Sequence, residues 1–128
     1  MIQIEKLRRV MEEISAEKGE FELFGLFLRE EAQDKWDLVI SAPWLEDGKL
    51  KALGEFVQKA ALIVGEQEFL TLSRIVTLNH DDPNLNTILE AVEDIPVELW
   101  NTNFFGLEIK HAYILRAKRL RKLEPVAT

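Results

Sequence analysis

The chain has 128 residues, enough for one domain whose core needs no covalent staples. It has no cysteine and only two histidines, which excludes disulfide frameworks, thiolate zinc sites, cysteine nucleophiles and a three-histidine metal centre. The formal net charge of −7 is uneven: residues 1–109 hold 10 basic and 22 acidic groups, a net of −12, while residues 110–128 are net +5. An acidic body opposes broad binding to phosphate backbones or anionic membranes, and the basic end allows a local contact of that kind.

Ile4, Leu7, Met11 and Ile14 recur at helical steps, and Gly19 follows as a stop, so a first helix is expected over about residues 2–18. The N-terminus mixes both charges at that spacing and lacks a signal-peptide apolar stretch. No apolar run reaches the ~18–20 residues of a membrane-spanning helix. A cytoplasmic protein is therefore expected.

FELFGLFLRE (21–30) is apolar on both alternating faces, as in a strand covered on two sides. The short polar EAQDK joins it to WDLVISA (36–42), which predicts an antiparallel hairpin ended by Pro43. Leu50, Leu53, Val57, Ala60, Ala61 and Val64 form a helical stripe stopped at Gly65, and a short amphipathic piece surrounds Phe69 and Leu72. RIVTLN (74–79) reads as a strand, which a crossover places parallel to 36–42.

Asp82 before Pro83 marks a helix start, with Leu85, Ile88, Leu89 and Val92 as the buried face. IPVELW (95–100) reads as an edge strand or a loop because of Pro96. FFGLEIKHAYILRA (104–117) reads as one long strand, with Leu107, Ile109, His111, Tyr113 and Leu115 on a common face. The expectation is a single α/β (α+β) domain over residues 1–117, with a basic tail over 118–128. Its order is α-β-β-α-β-α-(β)-β, and its mixed sheet has four or five strands. Residues 21–28 and 107–115 are expected as inner strands, flanked by the first two helices. The surplus of apolar surface also fits a homodimer contact through the first helix.

Three constellations could carry chemistry. At the carboxyl edge of the parallel strands, Ser41 and Trp44 are expected near Asn79, His80 and Asp81. There His80 could act as a general base, Asp81 could orient it or bind a metal, and Ser41 could be a nucleophile if His80 reached it. The plainer reading is a polar loop that caps the next helix, with Trp44 packing on the domain.

Glu108-Ile109-Lys110 resembles half of the metal-site signature of restriction-endonuclease-like nucleases, with Asp37 as the second acidic residue. In that family the two halves come from neighbouring strands close in sequence. Here roughly 70 residues separate them, so a same-face surface ion pair is the plainer reading.

The third constellation is KHAYILRAKRLRKL, which includes Arg119 and Arg121 and could clasp a nucleic-acid backbone. Docking on an acidic body, its own or a second subunit's, is the favoured reading. Trp36 is expected at the start of a strand, and Trp44 and Trp100 beside turns, as half-buried rings sealing the core edge. The leading functional expectation is a non-catalytic protein-interaction or regulatory module, with a protein partner or self-association and no cofactor. A divalent-metal phosphoesterase using Mg²⁺ or Mn²⁺ stands second, and weak nucleic-acid binding through the tail third.

Overall fold

The computed structural model describes residues 3–32, 35–46, 49–92, 96–104 and 106–120. Apolar positions in α1 (Ile4–Lys18) bury Leu7, Val10 and Ile14 within the chain's own core. After Gly19 the chain enters β1 (Leu23–Arg29), turns through a short 3₁₀ segment at Glu30–Ala32, and returns as β2 (Trp36–Ser41). The two strands pair antiparallel from Leu23 opposite Ser41 to Phe27 opposite Asp37, the hairpin that their spacing predicts.

A helical turn, α2 (Pro43–Glu46), precedes the long α3 (Lys49–Val64), and a second turn, α4 (Glu66–Phe69), leads into β3 (Leu72–Thr77). Helix α2 is an addition to the expected order, whereas α4 falls on the short amphipathic piece expected around Phe69. Strands β2 and β3 are parallel, as the helical connection between them requires. Asp82 caps α5 (Pro83–Ala91) by accepting from the Asn84 backbone N–H at 2.8 Å.

The last quarter departs from its expected form. Residues 104–117 are not one strand: β4 (Val97–Phe104) and β5 (Leu107–Ala117) form an antiparallel hairpin with Gly106 in the turn before β5. Gly106 takes φ +69 there, a conformation that glycine adopts without steric cost. The segment after Pro96 is a full strand at the sheet's edge.

The sheet order is β3-β2-β1-β5-β4, with β1 central and buried at all but its last residue. One face carries Phe24, Leu26, Leu38 and Ile40 against α1 and α3. The other carries Leu23, Phe27, Val39, Ile109 and Ile114 against Leu85 and Ile88 of α5. Two cores on one sheet explain why β1 and β2 are apolar on both sides. Phe21 joins Phe24 and Trp44 in edge-to-face contacts with centroids 5.0 and 5.3 Å apart, a geometry that aromatic quadrupoles favour.

Along β5 alternation fails twice, where Leu115 and Lys110 are passed over in the ladder with β1, and the second place bears on the candidate sites. Ile109 packs on the α5 side, whereas His111 joins the rings on the α1 side. The strands change phase between them: Leu28 pairs with His111 and Arg29 with Ile109, so Lys110 is passed over in the ladder with β1. On β4 the matching irregularity is Asn101, whose φ is +50.

Candidate functional site

The carboxyl edge of β2 and β3 does gather several of the expected residues. Ser41 Oγ donates to the Leu78 carbonyl at 2.6 Å and is buried, so the hydroxyl ties the ends of the two strands together. His80 meets Glu46 of α2: its backbone N–H donates to Glu46 Oε1 at 2.8 Å, and its Nδ1 lies 3.3 Å from the same oxygen. No hydrogen bond joins Ser41 to His80 among the described residues, and Asp81 and Asn79 are exposed. Trp44 points the other way, with its indole N–H donating to the Gly19 carbonyl at 2.9 Å.

The structure separates the residues of the nuclease-like pattern. Asp37 is buried, and its Oδ2 accepts from Arg29 Nε at 2.8 Å and Arg74 Nε at 3.2 Å. The bond to Asp37 raises the Arg29 pKa above its ordinary value. Asp37 shares a cavity wall with Leu107 and Ile109, on the α5 side of the sheet. Glu108 alternates with those two residues and is exposed beside Asn101 and Asn103. The phase change at Lys110 removes the simple alternation that would put Glu108 and Lys110 on one face. Among the described residues, no group of three or more His, Asp or Glu side chains is placed to hold a metal ion.

The first residues of the basic segment lie on the chain's own body. The Lys118 backbone N–H donates to the Glu22 carbonyl at 2.8 Å, and that of Leu120 donates to Glu22 Oε2 at 3.0 Å. Arg119 Nη2 donates to Asn86 Oδ1 at 2.7 Å. Arg121 lies outside the described residues.

Sequence reasoning missed a ring cluster on the α1 side of the sheet. Trp100 of β4 stacks flat on His111 of β5, with centroids 3.5 Å apart and planes at 15°. His111 also meets Tyr113 at 4.4 Å and Trp36 at 5.3 Å. Its Nε2 lies 2.5 Å from Glu98 Oε1, so the carboxylate fixes the ring's orientation as acceptor of an Nε2 hydrogen. Burial and the neighbouring Glu98 push the Tyr113 phenol above its ordinary value. Two tryptophans, one of the two histidines and the only tyrosine thus meet at one site. Trp36 is buried, but Trp100 is 59 % exposed in mid-strand, which corrects its expected place at the core edge. The pairing of Trp100 with His111 across the hairpin is the signal that locates this cluster, and it needs the break between β4 and β5 to be recognised.

Compared with protein-family models, curated proteins and solved structures, the chain matches none. No helix among the described residues is long and apolar enough to cross a membrane.

Proposed function

We propose that this chain is a non-catalytic protein-interaction module that receives an extended segment of a partner along β4, with Trp100 as the anchor. The observation that carries the reading is the exposed indole of Trp100, held flat on His111 at an open sheet edge. An exposed tryptophan whose orientation is already fixed loses little side-chain entropy on contact, and tryptophan is enriched among residues that dominate binding energy. Among the described residues strand β4 has β5 as its one neighbour in the sheet, so an added strand can hydrogen-bond along its outer side. The left-handed backbone at Asn101 interrupts that ladder and confines the receiving stretch to Val97–Trp100. Such a kink guards against indiscriminate edge-to-edge pairing. Glu98 and Glu108 add exposed negative charge on this hairpin, which favours a partner segment rich in Lys or Arg.

Panning a random-peptide library on the full chain tests the proposal, with Trp100→Ala as the counter-target. Selected peptides should carry Lys or Arg and lose roughly tenfold to a hundredfold in affinity on the variant. Failure to enrich any peptide, or peptides that bind both proteins alike, would overturn it.

A further inference from the structure

On the opposite face of the sheet, a cavity of about 110 Å³ opens between four strands and the start of α5. Its walls are Phe27, Val39, Val76, Leu78, Leu107 and Ile109, an apolar lining broken at one end by polar groups. Those groups are Asp37, Arg29 and Arg74, with Asn84 beside them.

The polar end is incompletely satisfied. Both guanidinium contacts fall on the same carboxylate oxygen, Asp37 Oδ2. Oδ1 is buried and has no hydrogen-bond partner among the described residues, although the Asp37 side chain is only 4 % exposed. Buried carboxylate oxygens are nearly always bonded, so this one calls for a donor. Arg74 offers the converse. Its Nε is engaged with Asp37, its side chain is half exposed, and its terminal nitrogens have no partner among the described residues. Arg29, by contrast, also bonds Glu31.

An acceptor without a donor therefore stands next to a donor fork without an acceptor, at the head of a small apolar cavity. We infer that this cavity is a binding site for a small aliphatic α-amino acid. The ammonium would donate to Asp37 Oδ1, the carboxylate would take the free edge of the Arg74 guanidinium, and the branched side chain would fill the space between Phe27, Val39 and Ile109. An α-amino acid carries its positive and negative groups on one carbon, matching an Asp–Arg pair in direct contact. The cavity is smaller than ordinary cofactor pockets, which limits the ligand to this size class. This site is separate from the β4 surface, on the other face of the sheet, and does not depend on the interaction reading.

The test is calorimetric titration of the full chain with L-leucine, run beside 4-methylpentanoate, which lacks the amine, and isoamylamine, which lacks the carboxylate. Saturable binding is expected for leucine and markedly weaker binding for both analogues. Arg74→Met should weaken leucine at least about tenfold without weakening isoamylamine, since the variant removes the carboxylate's partner and takes a repelling cation away from the ammonium's. Asp37→Asn should weaken isoamylamine as well, provided circular dichroism shows the variant folded. No leucine binding at millimolar concentration would overturn the inference and leave the cavity a packing void. Equal affinity for leucine and 4-methylpentanoate, or leucine binding unaffected by Arg74→Met, would also overturn it.

Discussion

Gly19 ends α1 at φ +127, where its carbonyl accepts the Trp44 indole N–H. A Cβ at that position would stand 3.0 Å from Trp44 Cδ1. Gly19→Ala therefore adds backbone strain to a collision with a ring packed on Phe21, and should cost about 1–3 kcal/mol in urea unfolding. Undiminished stability would contradict the contact. The stop at Gly19 was legible in the sequence, but its second reason was not, because Trp44 is 25 residues away. Asp37 teaches the same lesson. As an isolated carboxylate on a strand it suggested a metal ligand, yet its partners Arg29 and Arg74 lie 8 and 37 residues distant. Only the assembled sheet brings those charges together, and it brings them to the face away from Glu108.

Between elements, one ion pair offers a pH test. Lys6 Nζ of α1 reaches Glu68 Oε1 of α4 at 2.6 Å, tying the first helix to a turn 62 residues later. The hydrogen bond from Lys6 holds the Glu68 carboxyl below the ordinary carboxylate range. A depressed carboxylate contributes stability that is present above its unfolded pKa and lost as pH falls through the folded value. Lys6→Met should therefore lower the melting temperature near neutral pH, and the difference from the parent chain should shrink below about pH 4.5. A difference independent of pH would exclude the ionic contribution.

Helices α1, α3 and α5 were legible from their apolar periods, and β1 with β2 from their density of apolar residues. The β4–β5 hairpin was not, since residues 104–107 lack the Asn-Gly or Asp-Gly signal of a two-residue turn. Nor could alternation reveal the phase change at Asn101 and Lys110, because the period-two rule presumes an unbroken pleat. The irregularity at Lys110 sends Ile109 to one core and His111 to the ring cluster.

At the scale of the molecule, α1 and α3 cover one face of the sheet and α5 the other, while β4 closes the order at one edge. The edge position of this segment was readable from Pro96. The outward side of Trp100 was not, because it depends on what the helices leave uncovered. The same arrangement makes the interaction reading measurable strand by strand. Amide hydrogen exchange on the full chain, with and without a library-selected peptide, tests it most directly. A captured segment would hydrogen-bond the outer side of β4, so exchange should slow across Val97–Trp100 while β3, at the opposite edge, stays unchanged. Slowing elsewhere, with Val97–Trp100 exchanging as in the free protein, would contradict the assignment of β4 as the receiving strand.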